Sequence, residues 1–246
     1  MSDQKTALVN FLNLTADYLK DGHARPHELP VKEEKSSLPL AYMIEEAETS
    51  APGDSLETLA EGIAVCKACV LAEKRTLAVP GEGAQQPLVM VIGEGPGADE
   101  DRAGRPFVGR AGQLLDKMLL SIGLSRNKNC FIANMVKCRP PGNRDPAHDE
   151  MAACFSYLER QINILKPTLI LCVGRVAAQY LLKTSQGINA LRGTFVDFEI
   201  RETVIPVLPT FHPSAVLRDE SLKRPAWEDL KLLKARLVEL FPGFGE

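Results

Sequence analysis

No run of apolar residues in this 246-residue chain reaches the ~18 that a membrane-crossing helix requires. The opening MSDQKTALVNF has no basic segment leading into an apolar stretch, so no secretory signal is read there. The expected location is cytoplasmic. Histidine occurs four times and tryptophan once, and aromatics are 6% of the chain. Nowhere does a glycine-rich turn run into GK[ST], so a P-loop is excluded. Only one CxxC occurs, whereas a zinc ribbon pairs two. No Ser/His/Asp or paired-carboxylate arrangement announces nucleophilic or two-carboxylate chemistry.

Positive charge is also short, with a net charge of −3. The total conceals an asymmetry. Residues 1–61 hold 5 Lys+Arg against 12 Asp+Glu, a net of −7, and the remainder holds 24 against 20, a net of +4. The longer part permits a polyanionic partner without demanding one.

What is present divides the chain in two. Residues 5–20 have apolar positions at helical spacing, and residues 21–55, rich in proline and acid, read as a linker. Residues 1–55 are thus expected to be an extension and 56–246 a folded domain. In the latter, continuous apolar runs at 87–93, 130–136, 168–174 and 205–210 read as strands buried on both faces. Helical stretches fall between them at 111–122, 149–165 and 175–182, and a last one spans 225–241. Residues 195–200 read as an extra edge strand. The alternation predicts an α/β fold, a parallel sheet covered by helices on both faces.

In such sheets ligands bind at the carboxyl ends of the strands. The first run ends in GEGPG, the second in Asn134, the third in Gly174-Arg175 and the fourth in TFHPSAVLR. The loop after the first run carries Glu94, Asp99, Glu100 and Asp101, which would repel a phosphate. A neutral guest with donors and acceptors on its edge escapes that objection. Phe107 on a stiff loop can stack on a flat ring, and the Asn134 carboxamide offers an acceptor and two donors to a base edge. His212, the one histidine following a strand on the rim, can donate to an oxygen that gains negative charge. Val216 and Leu217 are candidate wedges into a duplex, with Arg218 on phosphate. Cys66, Cys69, Cys138 and Cys154 suit a tetrahedral zinc or an iron–sulfur cluster. The single CxxC favours the cluster. Cys130 and Cys172, inside apolar runs, read as buried hydrophobes.

Taken together, GEGPGADED, GRPFVGRAG, NMVKCRPPGNRDP, HPSAVLR and the CxxC at Cys66 resemble the iron–sulfur branch, family 4, of the uracil-DNA glycosylase superfamily. The match runs in order over about residues 58–241. The resemblance implies a three-layer α/β/α sandwich on a four-stranded parallel sheet. It implies a [4Fe–4S] cluster on Cys66, Cys69, Cys138 and Cys154. It implies a uracil pocket of Glu94, Gly95, Gly97, Phe107, Asn134 and His212, with Glu100 near the C5 edge. Catalytic roles fall to Glu94, Glu100 and His212. DNA contact falls to Ser214, Leu217 and Arg218. In related branches a carboxylate stands where this chain has Gly95, so Glu94 and Glu100 are the candidates for activating water. The expected partner is uracil-containing DNA and the expected state a monomer. Two other functions fit the same fold: a non-catalytic binder of nucleobases or damaged DNA, and a zinc-stabilised α/β hydrolase.

Overall fold

The structure, a computed structural model, describes residues 54–244. The helix expected over 5–20 and all but the last two residues of the expected linker lie outside that range. Asp54 and Ser55 already belong to the folded body. Asp54 pairs with Arg160, and Ser55 caps α1 (Leu56–Val65) by accepting from the Thr58 amide at 3.1 Å. Such a cap satisfies one of the amides that a helix start leaves without a partner.

Six strands form one sheet. They are β1 (Glu82–Gly83), β2 (Val89–Gly93), β3 (Cys130–Asn134), β4 (Leu169–Val173), β5 (Val196–Ile200) and β6 (Thr203–Thr210). Their order is β1-β3-β2-β4-β6-β5. The expected parallel set of four is β3-β2-β4-β6, and the sheet is larger than four because an antiparallel strand closes each edge. β5 was legible as an edge strand. β1 is two residues long, too short to show a period.

Helices α2 (Ala98–Ala103) and α3 (Arg110–Leu120) follow β2, and α4 (His148–Leu165) follows β3. After β4 come α5 (Arg175–Leu181) and α6 (Ile188–Leu191). After β6 come α7 (Pro213–Arg218) and α8 (Lys223–Leu240). All five residues of β2, β3 and β4 are buried, which is why these strands read as unbroken apolar runs. Their alternate residues feed two cores. Met90, Ile92 and Ala133 pack with Leu158 and Ile162 of α4 and Ala177 and Leu181 of α5. Val89, Val91 and Ile132 pack with Leu115 and Leu119 of α3 and Leu230, Leu233 and Leu237 of α8. The result is three layers, helix on sheet on helix. Each fully buried leucine contributes about 1.5–3 kcal/mol.

β2 lies between β3 and β4, so the chain leaves it to one side and later returns to the other. That reversal opens a crevice at the carboxyl end of β2.

Candidate active site

The crevice holds a cavity of about 620 Å³, within the range of small-ligand sites. Four strand ends supply its walls: Glu94, Gly95 and Gly97 after β2, Asn134 at the end of β3, Gly174 and Arg175 after β4, and His212 after β6. Phe107, Glu100, Ser214 and Arg218 line it too.

Phe107 stands in the left-handed region at φ 52°, a conformation that costs a non-glycine residue on the order of 1–2 kcal/mol. Its surroundings hold it there. Arg126 donates to the carbonyls of Pro106 and Phe107, each at 2.9 Å, and is itself braced by Glu82 and by Asp116 at 2.8 Å. Helix α3 crosses so close that a Cβ on Gly112 would lie 1.9 Å from the Phe107 carbonyl oxygen. The ring is carried over the end of β2. A Cβ on Gly93 would sit 2.6 Å from Phe107 Cζ and 2.5 Å from Asn134 Oδ1, so glycine there lets ring and carboxamide meet.

Asn134 is 1% exposed, and its Oδ1 is the one buried side-chain polar atom among the described residues without a hydrogen-bond partner. A buried acceptor left unmade costs roughly 1–3 kcal/mol, which a ligand that donates to it recovers.

His212 caps α7. The Ser214 amide donates to its Nδ1 at 3.1 Å, and the Ser214 hydroxyl lies 2.8 Å from the same nitrogen. With Nδ1 accepting, the ring proton of the neutral form sits on Nε2. Burial, then the nearby Arg218, push the imidazolium pKa down to about 4, with Glu100 opposing. At neutral pH His212 is therefore an uncharged Nε2–H donor. Its centroid lies 5.6 Å from that of Phe107 at 30°. Two aromatic layers around a flat guest need about 7 Å, so the two rings are too close to hold a flat ring sandwiched between them.

The acids of the loop divide sharply. Asp101 is buried and accepts from the Thr76 amide at 2.9 Å, and Asp99 pairs with Arg102. Glu100 accepts from the amides of Val108 and Gly109 at 2.9 Å with one oxygen and from Gly97 at 3.1 Å with the other. These acids fasten the loop to itself and to the segment at Thr76. Glu94 is different. Burial first, then repulsion from Asp145, raise its pKa to about 7, against the pull of Arg175. Glycine follows it at 95, where a Cβ would lie 2.8 Å from Val136 Cγ2. Of the two candidate wedges, Val216 is 2% exposed and packs with Phe211 and Ala226, which removes it as a wedge. Leu217 and Arg218 are exposed.

The four thiols of Cys66, Cys69, Cys138 and Cys154 line one small hollow between α1 and α4. Donors point at the sulfurs: Arg75 Nη1 at 3.0 Å from Cys138, the Lys137 amide at 3.3 Å from Cys154, and the Ala68 amide at 3.5 Å from Cys66. Burial raises the Cys138 and Cys154 thiol pKa values, the latter to about 11. Among the described residues no three such side chains converge on a single ion. Cys130 and Cys172 are fully buried in β3 and β4, their thiol pKa values driven up by burial.

The family model of the uracil DNA glycosylase superfamily matches residues 80–231, more than half of the chain. The chain belongs to the uracil-DNA glycosylase superfamily. It is 45% identical to the type-4 uracil-DNA glycosylase of Sulfurisphaera tokodaii over 186 residues, 74% of this chain and 84% of that protein. The type-4 uracil-DNA glycosylase of Saccharolobus solfataricus is 43% identical, covering 75% and 87%. That of Thermotoga maritima is 42% identical, covering 73% and 93%. Membership in this superfamily accords with the crevice at the β2 carboxyl end and with the three-layer sandwich. No helix among the described residues is long and apolar enough to cross a membrane.

Sequence reasoning gave no role to Arg175 or Asp145, though both line the cavity and pair with one another at 2.5 Å. The position of Arg175 directly after a strand run was the available signal. It also passed over Lys137, whose side chain is fully enclosed, because a lysine between two motif residues ordinarily faces water.

Proposed function

We propose that this chain hydrolyses the bond between deoxyribose C1′ and uracil N1 in DNA, releasing uracil and leaving an abasic site. The observation that carries the reading is the unpartnered Asn134 Oδ1 beside a fixed aromatic ring and a neutral imidazole donor. Oδ1 accepts from uracil N3–H while the amide nitrogen donates to O4. Cytosine presents the reverse pair, and each mismatched group costs roughly 1–3 kcal/mol. Phe107 stacks on the flipped base. Glu100, held by three amides, walls the C5 edge against a methyl group.

As the C1′–N1 bond breaks, the electron pair moves into the uracil ring, and His212 Nε2–H meets the charge growing at O2. Water supplies hydroxide to C1′ and its proton passes to Glu94, whose pKa near 7 suits a base at neutral pH. Glu100 has both oxygens engaged by amides, which leaves Glu94 as the water-holding carboxylate. Leu217 enters the duplex, while Ser214 and Arg218 hold phosphate.

The thiol hollow suits a [4Fe–4S] cluster better than zinc. Only one CxxC is present where a zinc ribbon pairs two, and the lining offers four cysteine sulfurs with no histidine or carboxylate. A cluster takes each thiolate on a different iron. Cys66, Cys69, Cys138 and Cys154 would hold it, and bound there it would tie α1, the segment after β3 and α4 together. None of the catalytic steps passes through it. The protein works as a cytoplasmic monomer on uracil-containing DNA.

The test is excision from a uracil-containing oligonucleotide by iron-loaded protein, with abasic product as the expected result. Tight binding of that DNA without abasic product would replace the enzyme with a binding module.

A further inference from the structure

Lys137 is 1% exposed and is the largest fully buried side chain among the described residues. A buried ammonium normally has a carboxylate beside it. This one donates to two neutral acceptors, the main-chain oxygen of Asn134 at 2.9 Å and Oε1 of Gln161 at 2.7 Å. Gln161 is itself anchored, since its amide nitrogen donates to the Pro80 carbonyl at 2.7 Å. The main chain of Lys137 is held on both sides. Its amide donates to Cys154 Sγ at 3.3 Å, and its carbonyl accepts from Val79 at 2.8 Å. The side chain thus curls back three residues and closes a loop on the residue that ends β3.

That closure has a consequence for recognition. The Asn134 side-chain oxygen has no partner inside the protein, so no hydrogen bond of its own fixes it. Its aim is set by packing against Gly93 and Phe107 and by the backbone on which it stands. The parallel ladder with β2 fixes that backbone up to Asn134. Beyond it, the Met135 amide donates to the Gly93 carbonyl at 2.9 Å and the Val136 amide to that of Glu94 at 3.2 Å, while the Lys137 ammonium holds the Asn134 carbonyl itself.

We infer that Lys137 is a positioning residue for Asn134, its ammonium clamping the end of β3 so that the carboxamide faces the base at a fixed angle. The inference rests on Asn134 being the uracil-reading group. Gln161 orients the ammonium from α4. The five-residue segment from Asn134 to Cys138 then serves both centres, with the clamp keeping the base-reading end in place.

A double-mutant cycle on iron-loaded protein tests this, reading single-turnover excision of uracil, affinity for abasic-site DNA, and iron per chain. Lys137→Met slows excision about 10- to 100-fold with DNA affinity and iron content unchanged, and slows Asn134→Ala by less than about twofold further. Gln161→Met, which leaves lysine and every sulfur in place, slows excision about threefold and is likewise silent in the Asn134→Ala background. If Lys137→Met fails to fold, the Gln161→Met cycle decides alone. Losses that multiply with Asn134→Ala, or a Gln161→Met variant at the wild-type rate, overturn the clamp and leave the reading of Asn134 standing. Asn134→Ala at the wild-type rate overturns that reading itself.

Discussion

The strand-end cavity and the thiol hollow are joined by the five residues from Asn134 to Cys138, yet they are finished in opposite ways. In the hollow, N–H donors already point at three of the four sulfurs. In the cavity, a buried acceptor is left open, a neutral imidazole offers one free N–H, and a carboxylate is held near its titration point. A site saturated by its own protein suits a resident group. A site left unsatisfied suits a guest that arrives, reacts and leaves. The difference lies in hydrogen bonding more than in burial, because Asn134 is the more deeply buried of the two ends.

Four substitutions break or sharpen that contrast. Asn134→Ala removes the open acceptor, and excision of uracil falls by roughly a thousandfold with melting temperature unchanged. His212→Ala follows, with a loss of about a hundredfold in the single-turnover rate. Because the imidazolium pKa is near 4, the wild-type rate shows no histidine-dependent fall between pH 6 and 9. Cys138→Ser acts on the saturated side. Iron per chain drops by at least half and the melting temperature falls, while excision per iron-loaded molecule changes about twofold or less.

Glu94→Gln gives the smallest loss of rate at low pH and the most specific change in profile. The wild-type rate rises with pH through about 7 as Glu94 ionises, and the glutamine variant loses that limb. Stability moves the other way. The folded-state pKa lies above the unfolded one, so the wild type loses stability as pH climbs from about 4.5 to 7. Glu94→Gln escapes this loss. Discounted for solvent screening, it is more stable than wild type at pH 8 by on the order of 1 kcal/mol, and equal at pH 4. Urea unfolding at the two pH values measures the gap.

The alternation of apolar runs and helical stretches disclosed the parallel strands because each is buried on both faces, which leaves a contiguous signal. Asn134 and His212 were legible for a related reason, since each stands at the end of a strand run and so falls on one rim, whereas Phe107 was legible as the aromatic on the stiff loop after the first run. What stayed hidden depends on tertiary contact. The acids of the β2 loop looked alike in sequence, and only their amide partners separate Glu100 from Glu94. Val216 and Leu217 are adjacent and both apolar, and only the packing of Phe211 and Ala226 shows that one is core and the other exposed. Lys137 gave no sign of enclosure, because lysine is the residue least expected there. The edge strand β1 was too short to carry a pattern.

The residues that line the cavity enter the chain far apart, at 94, 107, 134, 174 and 212 among others. Synthesis delivers them in that order. A chain still on the ribosome can already have the aromatic platform and the carboxamide, yet it lacks the imidazole until the last strand has emerged. The complete cavity therefore exists only when the body is nearly whole.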